Sequence, residues 1–382
     1  MIEGSKKLEQ FMQYAFAKLN EARDKAAKDF EIIDMGIGDP EMATDKTIQK
    51  AMIDSLDEDG IFRYPSYMGE DYMREAAAEY MRKRFCVEVD KDSEIIVLMG
   101  SKSGIFNLPR AIMNPGETGA YTEPGYPVYR SGIALAGGKP MSLPLRIEND
   151  FIPDLDMIPE DTKITFINYP NNPTTATAEP QFFKDAIKDA RKKNYLLVND
   201  AAYIDIYEKT PQPSILQYTD ENYENILEIH SLSKGFAMTG WRIAFAVGSK
   251  TAIKYLGALK KQIDSGVFMP IQKAATYALE NYKMSRDVCR IYFERRNKVI
   301  SALEKTHLFK RIYPSDATFY IWAQLKDEDS SESFAKKLLT KHGIVCLPGS
   351  YLGEHGEGFV RFSMTLKDRD IDKAVERLIA IK

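Results

Sequence analysis

Six short apolar runs through the middle of the chain limit its possible folds more than any other feature. EIIVLM (94–99), TGAYT (118–122), KITFIN (163–168), NYLLVN (194–199), NILEIH (225–230) and RIAFAV (242–247) are β-branched or apolar almost throughout. A strand with one solvated face alternates, whereas a continuous apolar run belongs to a strand covered on both faces. Between these runs lie stretches with helical spacing, such as FFKDAIKDARKK (182–193), with its basic last turn, and TAIKYLGALKKQI (251–263). This alternation predicts an α/β fold with a mostly parallel central sheet in a large domain. A long helical pattern (270–305), YPSDATFYIWAQL (313–325), SFAKKLLTKHG, the short strand IVCLPG and a last strand–helix pair predict a smaller α+β domain. The first 40 residues precede the first sheet signal and are expected to pack with it. No repeat or low-complexity linker interrupts the chain.

At 382 residues the chain exceeds one ordinary core. A net charge of −4 and no dense Lys/Arg run leave no footprint for nucleic acid. Cys86, Cys289 and Cys346 lack C-x-x-C pairing, so neither a disulfide framework nor a zinc knuckle is expected. His230, His307, His342 and His355 have no metal-ligand spacing, and no metal is expected. Glu3, Lys6 and Lys7 do not open a secretory signal. No apolar run approaches the roughly 20 residues needed to span a bilayer. A cytoplasmic protein without membrane partners is the expectation.

Ligands of such sheets bind beyond the carboxyl ends of the strands. Polar residues collect there: Gly100–Gly104, Glu123–Tyr126, Tyr169–Thr174, Asp200–Tyr203 and Ser231–Lys234. Ser231-Leu232-Ser233-Lys234 formally fits the S-x-x-K of serine acyl-enzymes, but the required S-D-N and K-T-G partners are missing. Gly36-Ile37-Gly38-Asp39-Pro40 lacks the third glycine of a dinucleotide fingerprint, and neither a P-loop nor G-x-S-x-G occurs.

The remaining residues describe an anion site beside a reactive amine. Gly100–Gly104 ends a strand and opens a helix, where free N–H groups and the helix dipole favour an anion; Ser101 adds a hydroxyl or is simply a cap. Ser231, Ser233 and Arg242 add two hydroxyls and a guanidinium that can grip a phosphate. Lys234 is then either a counter-ion or a nucleophile that forms a Schiff base with a carbonyl. Asp200 ends a buried strand, as a helix cap or as partner to a cationic ring nitrogen. Tyr203 and Asn172 could hold a phenolic oxygen, and Tyr126 could stack on a ring. Together these requirements match pyridoxal 5′-phosphate.

IGDP (37–40), RYPSYMG (63–69), GSKSG (100–104), PGYPVY (124–129), NYPNNPT (168–174), NDAAY (199–203), SLSKGFAMTGWR (231–242) and RFS (361–363) resemble, in order, the fold-type-I aminotransferases of classes I and II. The resemblance implies a large cofactor domain (45–280), a small domain built from residues 1–44 and 281–382, and a homodimer with shared active sites. By it Lys234 is the Schiff-base lysine and proton shuttle, and Asp200 keeps the pyridine nitrogen protonated. Arg361 and the Gly38 backbone hold the substrate α-carboxylate. Tyr64 reaches the partner subunit's phosphate.

Tyr14-Ala15-Phe16-Ala17, GSK, RYPSY and DSGVFMPIQ (264–272) are further similar to L,L-diaminopimelate aminotransferases of lysine biosynthesis. That similarity turns Tyr14 and Lys102 toward the distal part of a long substrate, with a 2-oxo acid such as 2-oxoglutarate as acceptor. Tyr14 could equally be a packing residue. The chain departs from the pattern at Thr175, where glycine is usual, and at Gln262, where asparagine is usual. Aspartate, alanine or aromatic amino-acid transfer and C–S lysis stay open. A non-enzymatic regulator would need a DNA-binding extension, and the chain starts almost at the fold's own N-terminal helix.

Overall fold

The computed structural model describes residues 2–12, 22–220, 223–313, 316–326 and 330–381. Its strands, in chain order, are β1 (Ile33–Asp34), β2 (Ile95–Leu98), β3 (Thr118–Glu123), β4 (Lys139–Pro144), β5 (Thr162–Ile167), β6 (Leu196–Asp200), β7 (Ile226–Ser231), β8 (Ala244–Gly248), β9 (Phe309–Tyr313), β10 (Tyr320–Leu325), β11 (Ile344–Val345), β12 (Leu347–Pro348) and β13 (Phe359–Ser363). Seven of them form the central sheet in the order β2-β8-β7-β6-β5-β3-β4. Only β8 runs against its neighbours, β2 and β7.

The apolar runs have the predicted cause. Ile95 and Val97 enter one core while Ile96 and Leu98 enter another, and on β8 Phe245 and Val247 are divided in the same way from Ala244 and Ala246. Each strand is a wall between two apolar layers, so no position along it can be polar cheaply. The seventh strand was not among the six expected runs. Its sequence, KPMSLP, carries two prolines and has an exposed start, as only an edge strand tolerates.

The 270–305 pattern is two helices rather than one. Met269–Glu280 and Ser285–Lys305 are separated by a 3₁₀ turn at Tyr282–Met284, with Asn281 at φ −111°, ψ 37°. The first buries Ala274, Ala275 and Ala278 in the large core, and the second buries Tyr292, Val299 and Leu303 in the other. One straight helix could not serve both.

A four-stranded antiparallel sheet, β12-β13-β10-β9, and the parallel pair β1–β11 build the remainder. Ile33 and Met35 share their core with Phe319, Ile321, Val360 and Phe362. Residues 33–35 therefore pack with the C-terminal elements and run on into Gly36–Asp39 at the site, whereas the helix Lys6–Met12 lies against the helix Val128–Leu135 beside the central sheet.

Candidate active site

The ends of β5, β6 and β7 and the start of the helix Ser101–Ile112 converge. Asn168, just beyond β5, donates to the carbonyls of Asp200 (2.5 Å) and Pro170 (3.1 Å) and accepts from the Asn172 N–H (2.8 Å). Asp200, the last residue of β6, is buried. Its Oδ2 accepts the Tyr129 phenol at 2.7 Å, whereas Oδ1 has no partner. Burial pushes the carboxyl up to about 6; the Tyr129 hydrogen bond, the nearby Ala202 N–H and His230 oppose this without completing a bond to Oδ1.

At the end of β7, Ser231 caps the short helix Leu232–Gly235 by accepting the Ser233 N–H at 3.3 Å. Lys234 on that helix donates from Nζ to the Gly38 carbonyl at 2.7 Å and lies 5.7 Å from the Phe319 ring. Burial lowers the pKa of its amine first, and Arg361 and Arg242 lower it further against the opposing pull of Tyr320 and Asp39. The loop then returns through Arg242, which has a left-handed backbone (φ 57°) and donates to the Thr239 carbonyl at 2.7 Å. Its guanidinium lies over Gly100, where a Cβ would come 2.2 Å from Nη2. Gly100, at φ 80°, precedes Ser101 at the start of its helix, so Arg242 and the helix N-terminus face one spot. Lys102 lies 5.9 Å from the ring of Tyr126, which meets Tyr129 edge-on.

Arg361 on β13 donates to Asn172 Oδ1 (2.6 Å) and the Gly36 carbonyl (2.8 Å), stacks 4.1 Å over Tyr320, and keeps a buried Nε without a partner. Tyr320 also hydrogen-bonds Tyr203, phenol to phenol, at 3.0 Å. A Cβ on Gly38 would stand 2.0 Å from the Tyr320 oxygen, so only glycine fits there. Among the described residues there is no cluster that could hold a metal ion and no helix long and apolar enough to cross a membrane.

The aminotransferase class I and II family model matches residues 31–378. The L,L-diaminopimelate aminotransferase of Natranaerobius thermophilus is 43% identical over 99% of both chains, and that of Aquifex aeolicus is 42% identical over 100% of both. Among solved structures, substrate-bound BacF from Bacillus subtilis superposes with a TM-score of 0.93 at 30% identity, covering 99% of this chain and 98% of its own. The chain is a class I and II aminotransferase.

Within this aminotransferase the geometry joins Lys234, Gly38, Asn172 and Arg361 directly, Tyr203 through Tyr320, and Asp200 through Asn168. Tyr64 is 87% exposed on the single chain and stands apart from these contacts. Tyr14 lies outside the described residues. Gln262 is exposed in the turn that follows the helix Lys250–Lys260. Tyr320, Tyr129, Asn168 and Phe319 were not anticipated. Tyr320 reads as one more apolar residue in TFYIWAQL, and Tyr129 as a bystander in PGYPVY. The only available signal was a phenol inside a buried run, which must find a partner.

The substitution of glycine by Thr175 has a visible consequence. Thr175 is buried at φ 64°, a left-handed conformation that disfavours a β-branched residue. Thr175→Gly should stabilise the fold by about 1 kcal/mol, read as a raised denaturant midpoint at constant slope. A lowered midpoint would show that the buried side chain contributes more than the backbone loses.

Proposed function

We propose that this aminotransferase works with pyridoxal 5′-phosphate and takes L,L-diaminopimelate as amino donor and 2-oxoglutarate as acceptor, as a cytoplasmic homodimer. Residues 45–280 form the cofactor-binding unit and residues 1–44 with 281–382 the smaller one. The observation that carries the cofactor is Asp200: a buried carboxylate with one oxygen held and the other unmatched suits a cationic ring N–H. The names and full-length similarity of the relatives support the donor.

When bound, the cofactor supplies an aldehyde carbon and a cationic ring that accepts electrons from the substrate's α-carbon. Asp200 holds the ring-nitrogen proton electrostatically. Ser231, Ser233, Arg242, Ser101 and the backbone of Ser101 and Lys102 would hold the phosphate; Tyr203 and Asn172 would take the ring oxygen, and Tyr126 would cover the ring. Arg361, oriented by Asn172, the Gly36 carbonyl and the Tyr320 ring, holds the α-carboxylate. Burial lowers the pKa of Lys234 and so favours the neutral amine that takes the α-proton, while the Gly38 carbonyl aims its Nζ. Tyr14 and Lys102 are assigned to the distal end of the donor. The dimer is supported by Phe62, Tyr64, Ile263 and Phe268, all exposed on one chain, with Phe62 and Phe268 only 6.3 Å apart.

Reduction with borohydride after loading with pyridoxal 5′-phosphate, followed by peptide mapping, should place one cofactor per chain on Lys234. Label on another lysine, or none, would overturn the assignment.

The cofactor-free protein offers a separate check. Asp200 titrates near 6 instead of its ordinary 3.8. The folded state therefore binds the extra proton, and stability gained below pH 3.8 is lost as pH rises through about 6. Asp200→Asn should remove that decline, a difference on the order of 3 kcal/mol between pH 3.8 and 7 in matched denaturation curves. Parallel curves would contradict it.

A further inference from the structure

We propose that Tyr129 is a positioning residue: its phenol holds one oxygen of Asp200 so that the other is presented to the ring nitrogen of the cofactor. The inference rests on the assignment of Asp200 above.

Tyr129 is the second residue of the helix Val128–Leu135 and is fully buried. Its ring stacks on Phe166 of β5, with centroids 5.2 Å apart and planes 12° from parallel. Tyr126 meets it edge-on at 5.8 Å and 83°. With the ring held on both sides, the phenol oxygen has one position, 2.7 Å from Asp200 Oδ2.

An aspartate carboxylate can turn about its last torsion, and a bond to one oxygen stops that rotation. Here the bond leaves Oδ1 without a partner while the backbone carbonyl of the same residue is tied to Asn168. The orientation of the free oxygen is thus fixed from β5, a strand paired on one side with β3 and on the other with β6, rather than from a loop.

The phenol is a permanent donor. Burial first, and then the Asp200 charge, push Tyr129 well above the ordinary phenol range, so it does not ionise at working pH. The other groups that act on Asp200 are His230 on β7, the Ala202 N–H and Tyr203. None of them bonds Oδ2. A phenylalanine at 129 would keep the stack on Phe166 and release only the carboxylate.

The same geometry connects two contacts of the proposed ring. Tyr126, assigned to its flat side, leans on Tyr129, and Asp200, assigned to its nitrogen, is held by it. One side chain therefore sets the distance between the stacking residue and the carboxylate.

The experiment compares Tyr129→Phe in the parental and Asp200→Asn backgrounds, on full-length protein titrated with pyridoxal 5′-phosphate. In the parental background the dissociation constant should rise ~10-fold or more, as expected for loss of a hydrogen bond to a charged group. The kcat for transamination should fall while KM for the amino donor stays within about two-fold, since the carboxylate clamp at Arg361 is untouched. In the Asp200→Asn background the same change should alter the dissociation constant by less than about two-fold, because no ionised carboxylate remains to be held. Tyr129→Leu removes the donor with a different shape and must follow the same pattern, which keeps the test open if the phenylalanine variant folds poorly. Equal losses in both backgrounds, or an unchanged dissociation constant with a lowered Tm alone, would overturn the role of Tyr129. A parent that does not bind the cofactor, or binds it as tightly with Asn at 200, would instead overturn the assignment of Asp200.

Discussion

Lys234→Ala should abolish transamination, with a loss of at least about 10⁴-fold in kcat, and remove the visible band of the lysine-linked cofactor. Both the covalent attachment and the α-proton transfer are assigned to one amine. The nearest basic groups, Arg361 and Arg242, donate to Asn172, Gly36 and Thr239. Folding should survive: Lys234 is a buried amine whose charged form is disfavoured there, so its removal costs little. Glutamate formation and the absorption spectrum, measured beside a melting curve, separate these effects. Parental turnover in a folded Lys234→Ala protein would contradict the mechanism.

The second large effect is expected at Arg361. Lysine keeps the charge, but it cannot reach Asn172 Oδ1 and the Gly36 carbonyl together while lying flat on Tyr320. Arg361→Lys should lower kcat/KM for every amino donor by roughly 10²- to 10³-fold, mostly through KM. Because the α-carboxylate is common to all amino acids, the loss should be the same for long and short donors. A loss confined to one donor would move Arg361 to the distal end of the substrate.

Much of this site was legible because its residues sit in short local strings at strand ends. Asp200 closes a buried run, Lys234 and Arg242 share one loop, and Ser101 opens a helix after a strand; topology alone then brings them to one edge. What stayed hidden depends on pairs far apart in sequence. Tyr203 and Tyr320 are 117 residues apart, and Tyr129 and Asp200 are 71. No local pattern says that two buried phenols will meet, or which oxygen of a carboxylate one of them will take. β4 was missed because its prolines argue against a strand unless the strand is known to lie at an edge. The break at Asn281 was missed because the helical period continues through it; only the presence of two separate cores requires the turn.

The most direct measurement is kcat/KM for L,L-diaminopimelate, aspartate, alanine and an aromatic amino acid, each with 2-oxoglutarate and with glutamate, ammonia and pyruvate quantified. The account predicts that L,L-diaminopimelate has the highest value, with one glutamate formed per donor consumed and no ammonia. A higher value for another donor would refute the proposed substrate, and ammonia with pyruvate in place of glutamate would refute transamination itself.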